Sequence, residues 1–314
     1  MCSYNGEAYL REQLDSIAAQ TRLPDELVVC DDVSTDATPK ILENFKAAAP
    51  FPVRIHINAK RLGPVRNFEQ GIGQCTGDQI FLSDQDDVWE PHKIERMEAV
   101  LCELESKHSR STPLLVHSDL EVVDKNLKRV APSFLNYQGI AHDEEPLCSL
   151  LLYNFVTGCA CVFNRALVDL ALPFPEDAIV HDWWIALCAA AAGKIGFLRE
   201  PTIKYRQHGA NEIGAKRYVR RKRLSREERQ ERNDLIRKTI KQAGALVERL
   251  GERDLGDRKS RSRAFIYSKI LRMPRLVRPF RMAFSNIGPP RPGAPAWRKL
   301  TRKLRFCLLL VVEL

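Results

Sequence analysis

No stretch of the 314-residue chain approaches the roughly 20 consecutive apolar residues that a membrane-spanning helix requires. The longest candidate, Phe306 to Val312, reaches about a third of that length. No basic stretch followed by an apolar run opens the sequence, so no secretory leader is read there. CxxC pairs are missing too, and the nine cysteines are scattered, with Cys159 and Cys161 the closest two. These thiols read as buried and reduced, and the compartment as cytoplasmic. Internal repeats are absent. Acidic residues are scarce in the last third of the chain. Residues 1–214 carry 20 Lys and Arg against 31 Asp and Glu, whereas residues 215–314 carry 29 against 9, a net of −11 beside one of +20. An acidic body followed by a basic arm for an anionic surface is the reading this split supports. A hydrophobic fraction of 44% is enough for a globular core and excludes a disordered chain.

What is present alternates between two periodicities. Glu7 to Gln20 spaces Tyr9, Leu10, Leu14 and Ile17 on one helical face. Pro24 and Asp25 end it, and Glu26 to Cys30 follows as a short buried strand running into Asp31-Asp32. A helix through Lys40 to Ala49, a strand over Val53 to Asn58, a helix over Asn67 to Gln74 and a strand over Gln79 to Ser83 continue the pattern. Strand–turn–helix repetition of this kind predicts a mostly parallel α/β sheet with helices on both faces. Ligands bind at the carboxyl ends of such strands, where Asp31-Asp32 and the Asp84 to Asp87 cluster both fall. Met1 to Tyr4 leads almost directly into the first helix, so the first strand is expected to be truncated.

From about Ala215 the character changes. Lys216 to Arg232 is densely charged, with Arg and Glu spaced as on a solvated helix. Phe265 to Arg272, with Leu276, Val277, Phe280, Met282 and Phe284 beyond, mixes large apolar residues with arginines, and Pro274 and Pro279 prevent one unbroken helix. Ile287 to Ala296 reads as a Pro/Gly-rich linker, and Trp297 to Leu314 closes the chain with basic residues and an apolar end. Two units are therefore expected, 1–214 and a basic, mainly helical 215–314.

The sharpest chemical signal is Asp84-Gln85-Asp86-Asp87-Val88-Trp89. Three carboxylates within four positions at a strand end repel one another unless a cation sits among them, and Mg²⁺ or Mn²⁺ takes such oxygen ligands together with phosphates. An acidic turn capping the helix after Pro91 is the structural alternative. Asp31-Asp32 has one as well, N-capping by Ser34, Thr35 or Asp36, beside hydrogen bonding to a base or ribose. Asp182, in His181-Asp182-Trp183-Trp184, either complements the dipole of the following helix or acts as a general base. His208 is a surface histidine unless it folds back onto the Asp84–Asp87 rim, where it becomes a ligand candidate. Asn154 to Cys161 is a small-residue segment that lines a pocket or packs as a strand.

Taken in order, these residues resemble the family 2 glycosyltransferases of the GT-A fold, in their rhamnosyltransferase-like branch. The matching stretches are Ser-Tyr-Asn-Gly-Glu at 3–7, Gln13 to Thr21, Asp-Asp-Val-Ser-Thr-Asp at 31–36 and Leu-Gly-Pro-Val-Arg-Asn-Phe at 62–68. Ser-Asp-Gln-Asp-Asp-Val-Trp at 83–89, Asn-Phe-Val-Thr-Gly-Cys at 154–159, His-Asp-Trp-Trp at 181–184 and Tyr-Arg-Gln-His-Gly-Ala-Asn at 205–211 complete the series. The likeness covers about residues 2–214. It implies that Tyr4, Asp31, Asp32 and Lys60 or Arg61 hold the nucleotide sugar. Asp84 and Asp86 would form the DxD pair, Asp86 would bind the divalent cation with His208 as a further ligand, and Asp182 would be the catalytic base. The implied reaction is inverting: Asp182 takes the proton of an acceptor hydroxyl, which attacks the anomeric carbon opposite the departing diphosphate. Val33 stands where the family commonly has glycine, which alters the turn after Asp32.

The resemblance also implies a dTDP-sugar donor, with rhamnose the candidate sugar and a UDP-sugar the alternative, and a glycan or lipid-linked acceptor of bacterial surface polysaccharide. A peripheral enzyme on the inner face of the cell membrane follows from the basic arm, whose arginines interleaved with Phe, Leu, Ile and Trp suit anionic lipid. Two other readings stand beside it. One is a nucleic-acid-binding protein using the +20 region, which lacks a zinc-finger spacing and an RRM signature. The other is an inactive glycosyltransferase-like binding module, should the short first strand or Val33 spoil the site.

Overall fold

The computed structural model describes residues 1–253, apart from 141, 143–145, 210, 212–213, 216 and 218–224. The expectations for Phe265 to Phe284, the Ile287–Ala296 linker and the Trp297–Leu314 end therefore lie outside the described residues. Through the first 74 residues run β1 (Cys2–Ser3), α1 (Leu10–Ala18), β2 (Leu27–Asp31), α2 (Thr38–Ala48), β3 (Val53–Ile57) and α3 (Pro64–Gln74). Strands β1, β2 and β3 form a parallel sheet in that order, as the alternation of strand and helix requires.

A second, mixed sheet follows. Its elements begin with β4 (Gln79–Phe81), β5 (Val88–Trp89), α4 (Lys93–His108), β6 (Leu114–Asp124) and β7 (Arg129–Ala131). They continue with α5 (Phe134–Gln138), α6 (Pro146–Leu150), β8 (Cys161–Asn164), α7 (Arg165–Ala171), α8 (His181–Ala192) and β9 (Lys194–Gln207). The order is β4-β8-β6-β9-β5, with β7 on the far end of β6. Its longest pairing, β6 with β9, is parallel, while β4–β8, β6–β8, β6–β7 and β5–β9 are antiparallel.

The element ends shift for local reasons. The first helix starts at Leu10 rather than Glu7, because residues 5–7 are tied sideways to the turn before α2. Asn5 N–H donates to Ser34 Oγ (2.8 Å), Glu7 N–H donates to Asp36 (3.0 Å) and the Glu7 carboxylate accepts Ala37 N–H (2.9 Å). The strand expected to reach Ser83 ends at Phe81, and Ser83 C=O instead accepts Cys2 N–H at 3.2 Å, joining the two sheets. The first strand has two residues, and the Met1 amino group continues its pairing by donating to Val28 C=O (2.8 Å).

Apolar helix faces close both sides. Leu10, Leu14 and Ile17 of α1 pack with Leu42, Phe45, Val29 and Trp89, while Phe68 and Ile72 of α3 join α7, α8 and the inner strands. Helix α8 is apolar nearly all round and is buried accordingly, with Trp184 at 0% exposure. Helix α9 (Arg226–Glu252) begins with a Ser225–Glu228 capping box. Its Ala243, Leu246 and Leu250 join the core, Gln242 Oε1 accepts Ile179 N–H (2.9 Å), and Arg249 donates to the terminal carbonyls of α7 at Leu170 and Ala171. Among the described residues, no helix is long and apolar enough to cross a membrane.

Candidate active site

The two acidic clusters lie on one rim and are built differently. Strand β2 is buried along its whole length, so Asp31 and Asp32 emerge from the interior at 0% and 3% exposure. A buried carboxylate must be hydrogen-bonded, and both are. Asp31 accepts Ser3 Oγ–H (2.8 Å), Ser34 Oγ–H (2.6 Å) and Ser34 N–H (2.8 Å). Asp32 accepts Asn58 Nδ2–H (2.9 Å), Leu62 N–H (2.7 Å) and Gly63 N–H (2.8 Å), which folds the 58–63 loop over it. Val33 between these anchors sits at φ +65°, the left-handed region that disfavours a β-branched residue. The same loop brings Arg61, whose guanidinium lies 3.9 Å from the Tyr4 ring centre; Lys60 beside it is exposed.

Gln85 joins this half of the rim to the second cluster. Its side chain accepts Tyr4 N–H (2.7 Å) and donates to Tyr4 C=O (2.9 Å). That contact requires Gly6, where a Cβ would come 2.4 Å from Gln85 Oε1.

In the second cluster the carboxylates have fewer donors. Asp86 Oδ2 meets His208 Nε2 at 2.8 Å, so the histidine does fold back onto this rim, and Asn211 Nδ2 stands at 3.4 Å. Asp87 Oδ1 accepts Arg206 N–H (3.0 Å), while its buried Oδ2 meets no N–H or O–H donor among the described residues; the weak Cys159 S–H donor is the neighbour left to this carboxylate. Burial, and then the charges of Asp86 and Asp182, push Asp84 up to about 7. Burial followed by Asp86 and Asp84 raises Asp87 well above the usual carboxylate range.

Two buried cations hold the cluster from behind. Lys93 is 0% exposed, donates to Cys159 C=O (2.7 Å) and stands 4.5 Å from the Trp89 ring centre. Burial pulls it down to about 8, against the pull of the neighbouring thiols and carboxylates. Arg206 donates to Asp86 C=O (2.8 Å), Lys125 C=O (2.8 Å) and Glu12 Oε2 (2.5 Å), with its guanidinium over the Tyr9 ring.

Asp182 enters from the first turn of α8. Its Oδ1 accepts Asn154 Nδ2–H and its Oδ2 accepts Gly158 N–H, each at 2.9 Å. Burial raises it to about 6 although these hydrogen bonds pull the other way. The neighbouring His181 stacks on Phe68 with ring centres 3.9 Å apart, and burial pushes it down to about 3.

The arrangement fits a hard divalent cation. Several carboxylates repel one another here, one has an oxygen that meets no N–H or O–H donor among the described residues, and a histidine already stands on Asp86. Asp84, Asp87 and Cys159 also place potential ligand atoms within 4.8 Å of one another. That trio lies deeper, and a thiol is a poor partner for Mg²⁺ or Mn²⁺, so Asp86 and the less buried His208 are the pair that would better suit such an ion.

The structure thus brings Asp84, Asp86, His208 and Asp182 to one place, with Tyr4 and Arg61 joined to it through Gln85. Asp31 lies beside them and accepts its hydrogen bonds from Ser3 and Ser34. Lys60 is placed on the 58–63 loop without a further partner here. Arg206, Lys93, Gln85, Asn154 and Gly158 carry the geometry without having been assigned a part in it. A period-two strand does put Arg206 on the face opposite Tyr205. Only the fold shows that the Asp84–Asp87 loop covers that face.

Comparison with known proteins shows the family and the fold. The model of glycosyl transferase family 2 matches residues 1–167. An uncharacterized glycosyltransferase of Nostoc sp. is 29% identical over 218 residues, covering 67% of this chain and 64% of that protein, so the chain spans just under two thirds of that relative. The dTDP-rhamnosyl transferase RfbG of Shigella flexneri is 29% identical over 220 residues, 68% of this chain and 74% of RfbG. Among solved structures, S. aureus TarS 1–349 superposes with a TM-score of 0.56 at 17% identity, covering 85% of this chain and 67% of that one. The same TarS segment in complex with UDP-GlcNAc gives 0.56 as well. The fold is the GT-A type that the sequence resemblance implies.

Proposed function

The chain belongs to glycosyl transferase family 2, and we propose that it transfers a sugar, with inversion, from a nucleoside-diphosphate donor to a hydroxyl of a glycan or lipid-linked acceptor in surface polysaccharide synthesis. The observation that carries this reading is the placement of Asp182, a carboxylate held by two donors and raised to about 6, beside Asp84 and Asp86. A base with a pKa just below the working pH is mostly ionised yet still accepts a proton. Asp182 takes the hydroxyl proton while the oxygen bonds to the anomeric carbon and the nucleoside diphosphate leaves from the opposite side. Asp86 and His208 would hold a divalent cation, which when bound offsets the negative charge of the leaving diphosphate. Tyr4 and Arg61 present a stacked, cationic edge suited to a nucleotide, and Asp32 shapes the loop that carries Arg61.

The likeness to RfbG favours a dTDP-sugar, with rhamnose the first sugar to try, and the TarS complex with UDP-GlcNAc makes a UDP-sugar the alternative. Calorimetric titration of dTDP and UDP, with and without Mn²⁺, on wild type and Asp86→Ala tests the donor site. Metal-dependent binding that disappears in the variant is the expected result. Absence of binding to both nucleotides by folded wild type sinks the proposal.

We further propose that the basic region attaches the enzyme to an anionic membrane surface. Residues 254–314 hold 15 Lys and Arg against 3 Asp and Glu, with apolar residues between them. A deletion beginning after Arg253 leaves α9 in place. Flotation with phosphatidylserine vesicles is expected for the full chain and not for that deletion; a full chain that stays unbound rejects attachment.

A further inference from the structure

We propose that Asn154 is a positioning residue that fixes the plane of the Asp182 carboxylate; this rests on Asp182 being the base. The loop of residues 151–157 joins α6 to the short 3₁₀ turn at Gly158–Ala160. Phe155 and Val156 anchor it in the core at 3% and 1% exposure. Asn154 Oδ1 accepts Val156 N–H at 3.0 Å, a local turn bond that sets which way the amide points. With the oxygen committed there, the NH₂ group faces Asp182, and Nδ2 donates to Oδ1 at 2.9 Å. The reverse orientation would set an amide oxygen against a carboxylate and an NH₂ against an N–H, so the network admits only one assignment.

The turn that this loop leads into supplies the second donor, Gly158 N–H to Oδ2. With the Trp183 N–H at the start of α8, these donors on the two oxygens fix both the position and the rotation of the carboxylate. The approach is close: a Cβ at Gly158 would lie 2.7 Å from His181 Nε2 and 3.5 Å from Asp182 Oδ2. Helix α8 is itself held against rotation, because Trp183 Nε1–H donates to Leu150 C=O (2.5 Å) and Trp184 Nε1–H to Ala171 C=O (2.9 Å). Asn154 therefore adjusts only the last torsions of Asp182, those that aim its lone pairs. Among short side chains, asparagine alone offers an acceptor for the turn and an NH₂ donor for the base together.

Asn154→Asp separates the two bonds. It preserves shape and the acceptor for Val156 N–H, but replaces the donor to Asp182 with a second carboxylate oxygen, so Asn154→Ala is needed beside it to separate the lost hydrogen bond from the added charge. The assay is steady-state release of nucleoside diphosphate by the full chain with Mn²⁺, from dTDP-rhamnose or UDP-GlcNAc, whichever the wild type turns over. The expected result is a kcat lower by roughly 10²-fold and an unchanged donor KM, with a thermal midpoint lowered by the second carboxylate beside Asp182. Asn154→Ala, which loses both bonds and adds no charge, is expected to show the same kcat loss and serves if the first variant does not fold.

Introducing Asn154→Asp into an Asp182→Asn background should cost nothing further, because the residue acts through Asp182. Wild-type kcat in either single variant, or a full additional loss in the double variant, overturns the proposal. Wild-type turnover by Asp182→Asn alone rejects the base assignment instead, and no turnover by the wild type on either donor rejects the proposed function and this inference with it.

Discussion

Asp31-Asp32 and Asp84 to Asp87 look alike in sequence, each an acidic cluster following an apolar strand, but the fold treats them in opposite ways. Every donor around Asp31 and Asp32 comes from the protein: Ser3, Ser34, Asn58 and the Leu62 and Gly63 amides. Those carboxylates are structural acceptors that stitch β1, β2 and the 58–63 loop together. Around Asp84 to Asp87 the described residues offer fewer donors, Asp87 Oδ2 meets no N–H or O–H donor among them, and Asp84 stands near 7. The first cluster is satisfied by folding. In the second, burial and mutual repulsion raise Asp84 and Asp87 even with Lys93 and Arg206 behind them, so a further cation would relieve the cluster. Proximity of acidic residues in sequence therefore says little, and the census of internal donors is what tells the two clusters apart.

Substitutions should separate the clusters by sign. Asp32→Ala strands two backbone N–H groups and the Asn58 amide, and is expected to destabilise the protein by about 3 kcal/mol, read from urea unfolding. A loss below about 1 kcal/mol would mean that water replaces the carboxylate and that the contrast is overstated.

Asp84→Asn should do the reverse. The group's folded-state pKa is raised from 3.8 to about 7. Between these values the folded protein binds more protons than the unfolded chain, so this group's contribution to stability is lost as pH rises through about 7. Without added metal, the variant is expected to melt roughly 2–4 °C above wild type at pH 8, with the gap closing toward pH 4. A variant less stable than wild type at pH 8 would show Asp84 to be as well satisfied as Asp32.

The smallest effect is expected inside the first cluster. Val33→Gly relieves a left-handed β-branched residue but adds freedom to the unfolded chain, for a net gain of about 0.5–1 kcal/mol. It is measured by the same unfolding curves. No gain would mean that the hydrogen bonds flanking Val33 set its conformation without strain.

Much of the α/β body was legible in advance. The apolar spacing of Leu10, Leu14 and Ile17 marks the buried face of α1, and the short apolar run before Asp31 is β2. Residues that sequence reading misplaced are those bonded across long separations. Glu7 is drawn out of α1 by residues 36 and 37, and Ser83 is drawn from β4 toward Cys2. The second sheet's mixed pairing was not visible either. Strand β9 runs parallel to β6 and antiparallel to β5, and the residues of β9 are compatible with both.

Some site chemistry could be read and some could not. Residue type left Asp84, Asp86, Asp182 and His208 open between bland and functional readings, the family resemblance singled them out, and folding brings the four together. Val33 could be singled out too, and its φ of +65° is the strained turn that a missing glycine leads one to expect. The supports were hidden. Lys93 and Arg206 are charged residues that composition assigns to the surface, yet both are at most 1% exposed under the acidic loop.

What the sequence alone determined, then, is the alternation of elements, the acidic rim and the kinds of residue able to do chemistry there. These depend on periodicity and on side-chain type, which are local properties. Tertiary structure alone decided which carboxylates are satisfied, that His208 reaches Asp86 across 122 positions, and that Asn154 and Gly158 grip Asp182. Hydrogen bonding and charge repulsion act over a few ångströms of space, and only folding sets which residues share that distance.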